Sequence, residues 1–472
     1  MDKFYHSVRL DQDLCMGCIN CIKRCPTQAI RVRNKKAQIN SKFCIDCGEC
    51  IRVCPHHAKH AVYDKLEVLK QYEYTVALPP PSLYSQFNHL DDINIVLNAL
   101  LRMGFDDIYE VSAAAELVSE ATREYLSTHP DHMPVISTAC PSVVRLIRVR
   151  FPNLIPNLLP LNPPVEIAAI LALRKAMERT GLKREQIGII FISPCPSKVT
   201  YARSPLGITH SEVDKVLAVK DIYPNLLACM KTVGEDPDEI GTSGKIGVSW
   251  GRSGGEASGL FTEDYLAADG IENVIRVLED MEDKKFTNLK FVELNACNGG
   301  CVGGVLNVEN PYVAEVKLKR LRKYMPVART HMMPDTEAFI GWDSKVQYEP
   351  VFHLGETMME SFQRLNQVEE LLKKFPGLDC GSCGAPSCKA LAEDIVRGEA
   401  KDSDCVYFLR DNVHKLTEEV TRLAEDFEKE DADSGKRMKA MTSCIQRISQ
   451  EMNQLDQKEG RNPYDSKEID GK

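Results

Sequence analysis

Glu293 to Gly304 reads E-L-N-A-C-N-G-G-C-V-G-G. It sets Cys297 and Cys301 four residues apart around a glycine pair, so the backbone can turn tightly while both thiolates face one point. The largely apolar run Leu289 to Leu294 precedes it and reads as a strand that delivers the loop. Two cysteines cannot complete a metal site alone. The obvious suppliers of the missing ligands are two upstream cysteines in proline turns, Cys140 and Cys195.

The rest of the chain is also rich in cysteine. Eighteen cysteines occur in 472 residues, with 43% apolar and 27% charged residues, the balance of a soluble globular protein large enough for several domains. Their clustering in CxxC runs, behind an N-terminus (M-D-K-F-Y-H-S-V-R-L) without an apolar leader, favours metal binding over disulfides and a reducing cytoplasm. No window approaches the apolar length of a membrane span. The net charge of -9 argues against nucleic acid or anionic lipid as a partner.

Residues 1–62 contain one C-x2-C-x2-C-x3-C-P unit written twice: Cys15, Cys18, Cys21, Cys25 and Cys44, Cys47, Cys50, Cys54. This resembles a two-cluster bacterial-type ferredoxin. The resemblance implies that the fourth cysteine of each run serves the other cluster, so that Cys15, Cys18, Cys21 and Cys54 hold one 4Fe-4S cluster and Cys44, Cys47, Cys50 and Cys25 the second. His56, His57 and His60 read as solvated turn residues, with cluster tuning or proton relay as the alternative.

Residues 63–357 alternate short apolar strands with amphipathic stretches. Strands are expected at 74–78, 107–111, 133–137, 187–192, 245–249 and 289–294, and helices at 93–103, 114–126, 143–149, 165–179 and 259–268. This pattern predicts an α/β domain with largely parallel, buried strands whose carboxyl ends gather the ligands. Three strands end in cysteine turns: S-T-A-C-P (Ser137 to Pro141), S-P-C-P-S-K (Ser193 to Lys198) and the loop at Cys297. In this order, behind the ferredoxin-like region and with V-S-A-A-A-E-L-V-S-E-A-T (Val111 to Thr122) and G-R-S-G-G-E-A (Gly251 to Ala257), they resemble the catalytic domain of FeFe hydrogenases.

That resemblance implies an H-cluster, a 4Fe-4S cubane bridged to a diiron centre carrying CO, cyanide and dithiolate ligands. Cys140, Cys195, Cys297 and Cys301 match the cubane ligands, with Cys301 also bridging to the diiron half. Lys198 matches the lysine that donates to a cyanide, and Pro80, Pro81 and Ser82 match the segment lining the other. The chain departs from productive members at four positions. Ala139 replaces the proton-relay cysteine, Tyr201 a relay glutamate, and Ser193 and Asn295 two methionines that pack the diiron site. A methyl group cannot carry a proton. The pattern resembles sensory-type hydrogenases, which imply slow, reversible H2 oxidation, a ferredoxin-like redox partner, a separate signalling protein and maturation proteins. The rivals are an ordinary H2-oxidising or H2-evolving enzyme with a different proton path, and an iron-sulfur assembly scaffold that lacks diiron.

Residues 358–405 hold Cys380, Cys383, Cys388 and Cys405 as C-x2-C-x4-C-x16-C, resembling a small 4Fe-4S domain and bringing the expected total to three 4Fe-4S clusters plus the H-cluster. A helix is expected at Ala390 to Arg397. Apolar residues then follow a heptad seam from Val406 through Leu409, Val413, Leu416, Val420, Leu423 and Phe427. A second seam runs from Met438 to Leu455, so that 406–456 forms either a helical hairpin or a homodimeric coiled coil. Residues 457–472 read as a disordered tail, and Cys229 and Cys444 as ordinary packing cysteines.

Overall fold

The computed structural model describes residues 5–234, 237–333, 336–351, 354–355, 357–430, 439, 441–443 and 445–447. It forms two compact units, Met1–Phe352 and His353–Lys472.

The first unit opens with four short strands, β1 (Val8–Leu10), β2 (Ile30–Arg33), β3 (Lys36–Ile39) and β4 (Lys59–Ala61). β1 pairs antiparallel with β4 and β2 with β3. Asn34 and Lys35 both take positive φ between β2 and β3, the backbone of a two-residue hairpin turn whose twist suits the strands it joins. Val8, Ile22, Ile30, Ala37 and Ala58 pack with Cys15, Cys21 and Cys50 into one small core.

Seven further strands follow: β5 (Tyr74–Leu78), β6 (Asp107–Ile108), β7 (Val135–Ile136), β8 (Ile187–Ser193), β9 (Lys215–Ala218), β10 (Tyr265–Asp269) and β11 (Phe291–Asn295). They build two parallel sheets, ordered β6-β5-β8-β9 and β10-β11-β7. β8 is buried at all seven residues, as a central parallel strand covered on both faces must be. Its side chains alternate between two cores: Ile187, Ile189 and Phe191 join Ala168 and Ala172 of the helix Pro164–Thr180, while Ile190 and Ile192 join Leu97 and Leu100 of the helix Ile93–Arg102.

Two expected elements change type. Lys245–Ser249 is a helical turn, not a strand. Ile246 and Val248 are both buried, a spacing that a five-residue window cannot assign, and packing against Val111–Thr128 decides the matter. The stretch 259–268 is not a helix but a loop leading into β10, which supplies hydrogen-bond partners along β11. β9 and the helices Val219–Val233, Ile271–Glu282 and Pro311–Leu321 complete the layers.

The second unit contains the helices Met358–Lys374, Cys388–Val396 and Val406–Glu430. Val368, Phe375, Ala385, Leu391 and Cys405 form its core, with Cys383 and Cys388 packed against them. Val406, Leu409, Leu416 and Leu423 of the heptad seam are exposed. Most of the second seam, Cys444 and the tail 457–472 lie outside the described residues.

Candidate metal centre

β7, β8 and β11 end at the same place from two different sheets, and each hands over to a cysteine. Cys140 caps the helix Pro141–Arg150 and Cys195 the helix Pro196–Arg203, both with proline at the first helical position. A helix N-terminus favours a thiolate there. After β11, Gly299 and Gly300 both take positive φ, at 77° and 83°, which lets Gly300 N donate to Cys297 O at 3.1 Å. The loop 251–257 lies directly beside them, with Ser253 N donating to Gly299 O and Val302 N to Gly251 O. A Cβ on Gly300 would meet Ser253 N at 2.6 Å, so the two glycine-bearing loops pack backbone against backbone.

Lys198, one turn into the helix after Cys195, points its Nζ at Cys301 Sγ (3.6 Å) and Ala139 O (3.3 Å). Burial would push this ammonium down, but the sulfurs of Cys301, Cys195 and Cys140 around it hold it above its ordinary value. Burial pushes the Cys195 thiol up to about 11, and raises Cys297 further, with Cys195 and Cys140 adding to it. Four soft sulfur donors and one fixed cation suit an anionic iron-sulfur group, which would deprotonate the thiols on binding.

A cavity opens beside Cys301. Pro80, Pro81, Ala139, Lys198 and Asn295 line it together with Phe191, Trp250 and Val165. Ser82, Ser193 and Tyr201 do not. Ser82 is fully buried; Ser193 turns its hydroxyl into the cysteine loop, donating to Cys195 O at 2.8 Å and accepting from Cys195 N at 3.3 Å. Tyr201 is 3% exposed within the core, where burial and the nearby Glu166 push its hydroxyl far above the usual range.

Two cavity residues escaped the sequence reading, Glu256 and Glu293. Glu293 accepts from Gly254 N, Ala257 N and Asn295 Nδ2, each at 2.9 Å. Glu256 accepts from the Ser137 hydroxyl at 2.6 Å, and that hydroxyl accepts from Ala139 N at 3.3 Å. Burial raises both carboxyls, and mutual repulsion raises Glu256 further. With three donors Glu293 is the better anion, so the pair keeps its proton on Glu256. The available signal was Glu256 inside the glycine loop and Glu293 within an apolar strand.

In the ferredoxin-like region Cys25, Cys44, Cys47 and Cys50 surround one small cage and Cys15, Cys18, Cys21 and Cys54 another. Backbone amides point at the sulfurs, Ala29 N at Cys25 Sγ (3.2 Å) and Ala37 N at Cys15 Sγ (3.4 Å). The first cage abuts the metal centre. A Cβ on Gly48 would meet Val305 at 2.7 Å and Pro196 at 3.1 Å, and Arg52 donates to Gly303 O at 2.7 Å. Asp46, buried at the join, accepts from Val8 N and the Thr200 hydroxyl and pairs with His6 Nδ1 at 2.9 Å. His56, His57 and His60 are exposed, and Cys229 packs on the core beside β9. In the second unit Cys388 starts its helix with Asp379 Oδ1 accepting from its backbone N at 2.6 Å, and buried Cys405 immediately precedes Val406–Glu430.

Residues 73–305 match the C-terminal domain of the iron-only hydrogenase large subunit, 7–55 a 4Fe-4S dicluster domain and 375–407 a domain described as a putative Fe-S cluster. Among curated relatives, the NADP-reducing hydrogenase subunit HndD of Solidesulfovibrio fructosivorans is 23% identical over 44% of this chain and 44% of its own length. Iron hydrogenase 1 of Clostridium pasteurianum is 22% identical over 48% of each. The chain thus spans about half the length of these relatives. A structure of [FeFe]-hydrogenase HydA1 from Chlamydomonas reinhardtii aligns with a TM-score of 0.44 at 14% identity, covering 61% of this chain and 98% of that one. Among the described residues no helix is long and apolar enough to cross a membrane. By its large-subunit domain and the dicluster module ahead of it, the chain belongs to the FeFe hydrogenase family.

Proposed function

We propose that the protein is a sensory-type FeFe hydrogenase that oxidises H2 slowly and reversibly and passes electrons through 4Fe-4S clusters to a separate signalling partner. Cys140, Cys195, Cys297 and Cys301 would hold the H-cluster, and the cavity that Cys301 lines would receive its diiron part. The ferredoxin cages and Cys380, Cys383, Cys388 and Cys405 would hold the three further clusters. When bound, the H-cluster supplies the splitting of H2 and the first acceptance of its electrons.

The observation that carries the sensory reading is the contrast at the cavity wall. Lys198 keeps its ammonium beside Cys301, held by Ala139 O, while the Ala139 side chain presents only a methyl group. The residue that anchors the anionic cofactor is retained, and the one that would relay a proton is not. Infrared spectra of the maturated protein under H2 and then argon test the site, because iron-bound CO and cyanide absorb in a window free of protein bands. Their absence after full maturation would favour the scaffold rival. Steady-state turnover with a viologen dye tests the role: a low wild-type rate that rises at least tenfold in Ala139→Cys supports it, whereas a fast wild type defeats it.

One observation favours the ordinary-enzyme rival. Glu256 holds a proton at the cavity wall beside the anionic Glu293, and the Ser137 hydroxyl connects Glu256 to the backbone of Ala139. The pair can hold and release a proton where the cysteine is missing, which offers a different proton path.

A further inference from the structure

The duplicated cysteine run makes the two ferredoxin cages comparable position by position. Superimposing the repeats sets Cys15 on Cys44, Cys25 on Cys54, and Ile30 on Lys59. Ile30 is 2% exposed and lines the cage of Cys25, Cys44, Cys47 and Cys50; Lys59 is 3% exposed and lines the cage of Cys15, Cys18, Cys21 and Cys54. A buried isoleucine in one half has thus become a buried lysine in the other. Lys59 Nζ has no hydrogen-bond partner among the described residues. A buried charge needs a counter-charge, and Lys59 lines the cage of Cys15, Cys18, Cys21 and Cys54.

Two more repeat positions lean the same way. Gly17 and Asn20 of the first run correspond to Asp46 and Glu49 of the second, and both carboxylates line the cage of Cys25, Cys44, Cys47 and Cys50. Both carboxylates have side-chain partners of their own, Asp46 the His6 ring at 2.9 Å and Glu49 the Arg52 guanidinium at 3.1 Å. Lys59 is matched by nothing of the kind. Of the two cages, Lys59 lines that of Cys15, Cys18, Cys21 and Cys54 and not the other.

We propose that Lys59 sets the order of reduction in the ferredoxin domain, making the cluster held by Cys15, Cys18, Cys21 and Cys54 the more easily reduced of the two. Reducing an anionic thiolate cluster adds one negative charge in a low-dielectric site, and a fixed cation beside it stabilises the reduced form. The step is a single-electron transfer: the cluster at Cys25, Cys44, Cys47 and Cys50, which abuts the metal centre, is oxidised as the outer cluster is reduced, with no bond made or broken. Met16, 68% exposed, borders the outer cage, so the electron comes to rest next to the surface. Lys59 is therefore a positioning charge for electrons leaving the metal centre. The inference rests on the reading that both cages hold 4Fe-4S clusters.

The test is a redox titration of the reconstituted full chain followed by electron paramagnetic resonance, with iron and sulfide content measured on every sample. Lys59→Met should lower the outer cluster's reduction equilibrium at least tenfold, about 59 mV for a one-electron couple, and Lys59→Arg should keep it near wild type. Unchanged midpoints in a fully loaded Lys59→Met chain would overturn the proposal, as would an equal shift of both clusters. Should Lys59→Met fail to retain its clusters, Ile30→Lys decides: drawing the two midpoints together supports the proposal, and leaving them apart overturns it. Wild-type chain without iron in the cages would instead refute the cluster reading on which it stands.

Discussion

Glu293 opens the cysteine loop that organises the chain, yet its role emerges only from its distance to residues far away in sequence. In the sequence it is one acid at the end of an apolar strand. Burial beside Glu256 is what makes it the anion that keeps a proton on its neighbour. Glu256→Gln removes, without changing shape, the proton that Glu256 can release, and general acid-base groups contribute roughly a hundredfold or more. If the pair carries the proton path, viologen-linked turnover should fall by about that factor while the infrared bands stay in place. An unchanged rate would assign the pair to structure. Glu166 offers a second residue-scale test. Burial pushes its carboxyl up to about 7, against hydrogen bonds from Glu212 N and the Ser211 hydroxyl. Its folded value lies above its unfolded one, so the native state binds the extra proton and stability falls as pH rises from about 4.5 to about 7. The loss should be about 3 kcal/mol at most, and urea unfolding of Glu166→Gln should show a flatter pH profile over that window.

The elements were legible where a period was long enough to be unambiguous. β5, β8 and the helices Ile93–Arg102 and Pro164–Thr180 fall where the apolar pattern puts them, and the cysteine turns stand at strand ends because proline and glycine punctuate there. The errors fall on Lys245–Ser249 and β10, short segments whose state is set by a neighbour rather than by their own residues. The cavity was half legible: Lys198, Ala139 and Asn295 line it, while Ser193 and Tyr201, chosen by position along the chain, turn their side chains elsewhere. The heptad seam is an element-scale matter too. An apolar stripe with Leu409, Leu416 and Leu423 exposed is expected to pair with a second copy. Leu416→Asp with Leu423→Asp should convert a dimer to a monomer in sedimentation while leaving helix content nearly unchanged. A monomeric wild type at micromolar concentration would instead assign the seam to a hairpin.

At the scale of the whole first unit, the metal centre draws on both sheets: Cys195 follows β8 in one, and Cys140, Cys297 and Cys301 follow β7 and β11 in the other. Binding to the folded state alone stabilises by mass action, so chain prepared without iron should melt on the order of 10 °C below loaded protein. Equal midpoints would mean that the sheets hold together without help. The same geometry makes cofactor loading a form of inspection. Since no single sheet carries a complete set of sulfurs, a molecule that has not brought its halves together cannot retain the metal. A population made during iron scarcity is then expected to be the one that proteases clear first, so the cell's stock of this protein would track its iron supply.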